Sequence, residues 1–394
     1  MISGTTERGR IVKMKDVGSN HRTAAAWNRT LTVRLLRQHG SLSRQDISRM
    51  TRLRGSTLTY IVRELLEKNI VRVVGKRQST QVGPKEVLLT LNPDLGQVLG
   101  VALRPGLASL VLLDAAGGLL GNLQVPISGR LETVPEQLAD AVSRWTKQLG
   151  LPGRKLLRIG VGVAGVVDAD AGVVLRSIPF EAVNLPLKQL IIDRFDAPAE
   201  VDHDACYGAY AEATGGAAAD ASHFIYFSIN TVGTASRRLA AYGSALYLNG
   251  NVYRGAFYGA GELSDMLEPG PLDLSDEDMA ALHHPEGPMP PALIDLAVNV
   301  GRPLGAIINI VDVQMVILAG TVRIANRRFL AAVQAEVTRR LVNIPGRAVR
   351  VVRSAWEPNA TARGAAISAL DALIARGGLF DDKTDAQALP ETIL

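Results

Sequence analysis

The 394-residue chain is 47% hydrophobic and 21% charged, the balance of an ordinary globular protein, and its length predicts two or three domains. Residues 1–90 hold 18 Lys and Arg against 6 Asp and Glu, a net of +12, whereas the rest hold 25 against 32, a net of −7. That split predicts a basic module for a phosphate backbone joined to an acidic body, and a lone Cys206 excludes an intramolecular disulfide and a thiolate zinc cluster.

Residues 1–20 are polar and without periodicity, which predicts a flexible basic tail. Arg8, Arg10, Lys13 and Lys15 leave no apolar stretch there, so no secretory pattern is expected. The longest apolar runs, such as Val311–Thr321, are too short and broken for a bilayer span. A cytoplasmic, nucleoid-associated protein with no membrane partner is the expectation.

Residues 21–92 form the first predicted domain. Leu31, Leu35 and Leu36 recur at helical spacing from Thr30, and the run stops at His39-Gly40. Ser43 caps a second helix with Gln45-Asp46 in its first turn and Ile47 and Met50 apolar. Ser56 is the expected N-cap of a third helix, whose face is Leu58, Ile61, Val62, Leu65 and Leu66 and whose end lies near Asn69. Ile70–Leu91 reads as a two-stranded wing, with Val71 and Val73 on one strand, Val87, Leu89 and Leu91 on the other, and a turn at Gly75–Thr80. Helix, turn, helix and wing in that order predict a winged helix-turn-helix. A small basic helical domain that binds another protein is the other reading.

From Gln97 the pattern becomes α/β, and residues 97–378 form the second predicted domain. Val98–Leu103 and Ala108–Leu113 read as a hairpin around Arg104-Pro105-Gly106. Strands are expected at Leu157–Val167, Ala199–Asp202, Phe224–Ile229, Met315–Ala319 and Ala348–Arg353. Helices are expected at Leu131–Leu149, Leu187–Phe195, Ala205–Ala213, Pro290–Asn309, Arg327–Val342 and Ala360–Ala375. Two αβ lobes flanking a cleft are the natural arrangement, followed by a C-terminal tail at residues 379–394.

The chain resembles the ROK family, which groups bacterial sugar kinases with transcriptional repressors that carry an added N-terminal winged helix. The resemblance runs from about Thr30 to Ala375. Its marks are the stretch Gly55–Asn69, the run Gly160-Val161-Gly162-Val163-Ala164-Gly165-Val166-Val167-Asp168, and His203-Asp204-Ala205. Further marks are Arg254-Gly255-Ala256-Phe257-Tyr258-Gly259-Ala260-Gly261-Glu262 and Val316-Ile317-Leu318-Ala319-Gly320-Thr321. The resemblance implies a winged helix-turn-helix followed by a two-lobed actin/hexokinase-like (ribonuclease H-like) fold, with the sugar between the lobes.

The departures bear on chemistry. The family's kinases open the first lobe with an Asp-x-Gly-x-Thr-like phosphate turn; here the run is Gly100-Val101-Ala102-Leu103-Arg104-Pro105-Gly106. Ala102 replaces the acidic residue, and Pro105 has no N–H for a phosphate. The second phosphate loop becomes Asn230-Thr231-Val232-Gly233-Thr234, with Asn230 and Val232 in place of glycines. Both losses argue against ATP binding, so no enzyme activity and no cofactor are expected. Asp204 falls at the family's catalytic-base position; it can accept from a sugar hydroxyl, cap the Ala205–Ala213 helix, or do both. Asp265 stands where the family has a zinc- and sugar-binding histidine, and no cysteine follows, so no metal is expected; His283-His284 reads as a solvated pair. What the resemblance implies for the sugar cleft is Gly165, His203, Asp204, Glu262 and Asp265. His203, where an asparagine is usual, is either a ligand-binding group or a core histidine. The Ala235–Leu248 region is longer than the family's equivalent, and its Arg237-Arg238 reads as a loop over the cleft, an anion contact or a solvated pair.

On the DNA side, Arg54, Ser56, Thr57, Thr59, Tyr60 and Arg63 fall on the polar face of the third helix, where a recognition helix meets bases. Lys76, Arg77 and Lys85 are expected phosphate contacts of the wing. The reading that results is a sequence-specific transcriptional repressor of carbohydrate genes. Its expected partners are a double-stranded operator, a sugar or sugar-derived effector, and further copies of itself in a homodimer or tetramer. A sugar kinase with a DNA-binding head, and a regulator that answers to a protein partner in place of a sugar, remain the alternatives.

Overall fold

The computed structural model describes residues 21–77, 85–234, 237–263, 274–320, 324–356 and 358–380. The chain divides into two compact units, one of Met1–Thr90 with Ile374–Leu394 and one of Leu91–Leu373.

The first unit follows the order α1 (His21–His39), β1 (Leu42–Ser43), α2 (Arg44–Thr51), α3 (Gly55–Glu67), β2 (Val71–Arg77) and β3 (Glu86–Leu91). Helix α1 starts well before Thr30, because Ala24-Ala25-Ala26 sustain a helix without supplying apolar periodicity. Ser43 and Asp46 form a capping box on α2: the Asp46 N–H donates to Ser43 Oγ (3.1 Å) and the Ser43 N–H to Asp46 Oδ2 (3.0 Å). Helix α2 stops at Arg52, held in the left-handed region at φ 59°. Leu58, Ile61, Val62 and Leu65 of α3 recur at i, i+3, i+4 and i+7 and are buried with Val33, Leu36 and Ile47. The strands pair in the order β1-β3-β2, with Leu42 opposite Leu89. Gly75, Lys76 and Arg77, expected in a turn, continue β2, where Arg77 is tied to Glu86 at the start of the neighbouring strand. The rest of the expected turn, residues 78–80, lies outside the described residues, as do residues 81–84, 1–20 and 381–394. Phe380, expected in a tail, is instead buried within this unit, with the Arg29 guanidinium 5.7 Å from its ring centroid and Lys68 Nζ donating to its carbonyl at 3.3 Å.

The second unit has two lobes. The first lobe comprises β4 (Gln97–Arg104), β5 (Leu107–Asp114), β6 (Leu119–Pro126), α4 (Val134–Gln148), β7 (Leu156–Val163), β8 (Val166–Asp168), β9 (Val173–Ser177), β10 (Ala182–Leu185), α5 (Leu187–Phe195) and β11 (Ala199–His203). Its main sheet runs β11-β7-β4-β5-β6, parallel across β11, β7 and β4 and antiparallel beyond, with β8–β10 as a small separate sheet. The expected strand Leu157–Val167 is two strands, broken at Ala164-Gly165. Helix α6 (Asp204–Ala213) leads to the second lobe of β12 (Phe224–Thr234), β13 (Arg237–Leu248), β14 (Asn251–Tyr253), α7 (Asp276–His283), α8 (Pro291–Val311), β15 (Met315–Ala319), α9 (Arg327–Arg340) and β16 (Arg350–Arg353). Its sheet runs β14-β13-β12-β15-β16.

Two expectations fail in this lobe. Asn230–Thr234, read as a loop, is the end of β12, and Arg237–Leu248, read in part as a loop, is β13; their antiparallel pairing runs from Phe224↔Tyr247 to Thr234↔Arg237. Threonine and valine at 231, 232 and 234 favour an extended ladder over an open turn. Helix α8 is long and apolar enough by composition to cross a membrane, yet Leu293, Leu296, Val300, Leu304 and Ile308 are fully buried in the second lobe's core.

Helix α10 (Ala360–Ala375) lies against the first lobe through small residues. A Cβ on Gly100 or Gly160 would overlap the carbonyl of Ala362 or Ala365, and one on Gly364 would overlap that of Tyr207. Backbones approach this closely only where side chains are absent.

Candidate functional site

On the first unit, the side chains on the outer face of α3 are accessible: Arg54, Ser56, Thr57, Thr59, Tyr60 and Arg63 are all exposed. Arg54 is the N-cap in extended conformation and makes no side-chain capping bond, so Ser56, inside the first turn, is not the cap the sequence suggested. The Arg63 guanidinium lies 5.5 Å from the Tyr60 ring centroid, and its Nε lies 3.8 Å from Glu67 Oε1. On the wing, Lys76 and Lys85 are exposed. Arg77, expected to meet phosphate, is engaged elsewhere: its Nη2 lies 2.7 Å from Asp46 Oδ2 and 2.6 Å from Glu86 Oε2. Hydrogen bonds to Glu86 and then Asp46 raise its pKa. Burial opposes charge on Asp46, but the bonds from Ser43 and Arg77 outweigh it and hold this carboxyl below its usual range.

In the second unit, the parallel register pairs Asp202 with Gly162 and His203 with Val163, so β7 and β11 end side by side. Carboxyl ends of parallel strands are where α/β folds place ligands. Gly165 follows β7 with φ 132°, and a Cβ there would sit 2.9 Å from Ser177 Cα and overlap the Arg176 carbonyl. His203 is the N-cap of α6 and Asp204 its first residue, which corrects the reading of Asp204 as the cap. Asp204 is buried; its Oδ1 accepts from the Ala205 N–H at 2.8 Å and lies 3.1 Å from His203 Nε2. Across from it, β13 offers Gly243, where a Cβ would lie 3.8 Å from Asp204 Oδ1. Ser228 Oγ donates to the Gly243 carbonyl at 3.0 Å and accepts from Asn230 Nδ2 at 3.3 Å. Asp204 thus stands between the first lobe's strand ends and the second lobe's hairpin.

Glu262 is exposed, at the end of the 254–262 segment. Gly261 before it adopts φ 96° against the Ser244 carbonyl, and Ser244 Oγ donates to the Gly261 carbonyl. Burial pushes the Cys206 thiol pKa well up, and Asp202, Asp204 and Glu262 push it further, so these carboxylates act on one region. Asp265 lies outside the described residues.

Four residues of this region were not singled out by sequence reasoning. Arg254 donates from Nε and Nη2 to Asp202 Oδ2 at 3.0 and 2.6 Å, and Asp202 Oδ1 accepts from the His203 N–H at 2.8 Å. Burial works against the Arg254 charge, but the Asp202 carboxylate overcomes it and raises the pKa. Tyr258 donates from its phenol to Asp170 Oδ2 at 2.6 Å, which raises the phenol pKa and keeps it a donor. Arg254 and Tyr258 stood inside a motif already marked, and Asp202 adjoins another. Their pairing was hidden because the partners lie 52 and 88 residues apart.

The Arg104-Pro105-Gly106 segment is a tight hairpin turn with Gly106 at φ 81°. Beside it opens a cavity of about 490 Å³ lined by Phe180, Ile127, Arg130 and Glu181 among others, but not by Asp204 or Glu262. Among the described residues no cluster of His, Cys, Asp and Glu has the arrangement of a metal site.

The ROK family model matches residues 107–267 and 288–372, more than half of the chain. The chain belongs to the ROK family. It is 28% identical over 260 residues to a putative xylose repressor of Caldicellulosiruptor sp. strain Rt8B.4, a match that spans 66% of this chain and 62% of that protein. It is 24% identical to the xylose repressor of Bacillus subtilis over 87% of this chain and 95% of that protein. The crystal structure of a ROK family transcriptional regulator, a homologue of the Escherichia coli MLC protein, superposes with a TM-score of 0.70 at 19% identity, over 89% of this chain and 97% of that one. The shared fold of head and ROK body follows from that likeness.

Proposed function

We propose that this ROK protein is a DNA-binding transcriptional repressor of carbohydrate-utilisation genes whose kinase-like body binds a sugar without phosphorylating it. The observation that carries this reading is the exposed face of α3, with Arg54 at its start, on a basic winged helix-turn-helix joined to a ROK body. The bidentate guanidinium of Arg54 suits guanine, Ser56, Thr57 and Thr59 suit base edges or phosphates, and Lys76 and Lys85 suit phosphates. Two copies would place two such helices in successive turns of a palindromic operator.

In the body, Asp204, His203 and Glu262 supply acceptors and a ring nitrogen for vicinal hydroxyls, and Gly165 lets the backbone at the end of β7 pass close against Arg176 and Ser177 beside them. Phosphoryl transfer needs a cradle of backbone N–H groups around the donor phosphate. Pro105 withholds one at the first turn, and residues 230–234 are committed to the β12–β13 ladder. Those features favour a sensor over a kinase. The names of the relatives, xylose repressors, make D-xylose the first effector to try.

The test is selection of duplexes from a random library by the full chain, followed by anisotropy titration of the selected site with and without D-xylose and a panel of hexoses. Selected sites should contain an inverted repeat, and one sugar should weaken binding. ATP-dependent phosphorylation of that sugar, lost in Asp204→Asn, would replace the sensor with a kinase. Selective binding unmoved by any sugar would favour control by a protein partner.

A further inference from the structure

We propose that the 254–262 segment is a strap between the two lobes, latched by the Tyr258–Asp170 hydrogen bond, that holds Glu262 in place and governs exchange of the effector. The inference rests on the reading of the cleft as the effector site. The strap leaves the second lobe after β14 and is fastened to the first lobe at two points. Arg254 binds Asp202, next to His203-Asp204, and Tyr258 binds Asp170, in the loop after β8. Only the short strand β8 separates that second loop from Gly165, so the strap's middle is tied to one wall of the cleft and its end carries the carboxylate of the other.

Within the strap the Ala260 N–H donates to the Arg254 carbonyl at 3.2 Å and the Glu262 N–H to the Gly259 carbonyl at 3.3 Å, which shapes it as a turn without tying its middle to either lobe. Phe257 is 86% exposed, and nothing lies within 4 Å of where a Cβ on Gly259 would stand. Tyr258 adopts φ 59°, a left-handed conformation that a bulky side chain rarely holds without a specific contact. The ends, by contrast, are seated: Arg254 on Asp202, and Gly261 against the Ser244 carbonyl. A segment with seated ends, an exposed middle and one phenol bonded across the gap, to Asp170 with Asp168 alongside, opens and closes about that phenol. Tyr258 and Asp170 are therefore positioning residues, acting on the effector through Glu262.

The test compares the full-length wild type, Tyr258→Phe, Asp170→Ala and the double variant. In the unliganded protein, amide exchange in 254–262 and 166–172 should rise together about three- to tenfold in each single variant, with β7 and β15 unchanged. The double variant should be no worse than either single, and Asp170→Asn, which keeps an acceptor, should lie nearer wild type. Exchange equal to wild type, or additive effects, would overturn the latch. With D-xylose as the probe, stopped-flow dissociation should accelerate by a similar factor in Tyr258→Phe; an unchanged dissociation rate would overturn its role in exchange. Failure of D-xylose and the hexose panel to bind the wild type would overturn the effector reading, and the proposed governing of exchange with it. The sugar-free exchange measurement still decides whether the latch exists.

Discussion

Arg54 and Arg77 are both arginines of the basic head, and the structure gives them opposite situations. Arg54 extends from the start of α3 without a capping bond, whereas Arg77 is held between Asp46 and Glu86. Arg54→Ala is expected to cost about 1–3 kcal/mol of operator binding and to relax specificity at one base position. Lys85→Ala should weaken all sequences alike and reduce the slope of log K against log salt by about one. Arg77→Ala should leave that slope nearly unchanged. Anisotropy titrations at several salt concentrations separate the three. The exposed face of α3 was legible because helical periodicity alone sorts buried from exposed positions. The engagement of Arg77 was not, because Asp46 lies 31 residues away and no local pattern joins them.

Among the elements, α2 owes its start to Ser43 and Asp46. A carboxyl whose pKa is lowered by folding adds stability that is complete above its unfolded value, near 4, and is lost as pH falls through the lower folded value. Asp46→Asn should therefore cost about 1 kcal/mol of head stability at neutral pH, and variant and wild type should converge in acid. Thermal unfolding followed across pH checks this. Helix α10 depends on the absence of a side chain at Gly364, so Gly364→Ala should destabilise the body by about 1–3 kcal/mol or more, read as a lowered melting temperature. Leu187–Phe195, Met315–Ala319 and Ala360–Ala375 were each read from sequence with the bounds the structure gives them, the strand because it is an unbroken apolar run and the helices because their apolar residues recur at helical spacing. The β12–β13 hairpin was misjudged because family likeness suggested an open phosphate loop where local composition favours strand. The small β8–β10 sheet went unread because its strands are too short for alternation to register.

At the scale of the molecule, the division of charge between residues 1–90 and the rest was visible in the sequence, and so was the order of a winged helix-turn-helix before an α/β body. The composition of the first unit was not, because a contact between Phe380 and residues 29 and 68 leaves no trace in local patterning. Phe380→Ala removes a fully buried ring from the head and should cost about 3–5 kcal/mol there, measured as earlier melting of the head and weaker DNA binding with the body's transition unchanged.

That same residue sets an order of assembly. Synthesis delivers α1, α2 and α3 first, and domains generally fold as they emerge. Here the aromatic ring that lies beside Arg29 follows the whole ROK body in the chain. The head therefore completes its core only after the whole ROK body has been made, and a chain interrupted within that body is expected to yield an unfinished head.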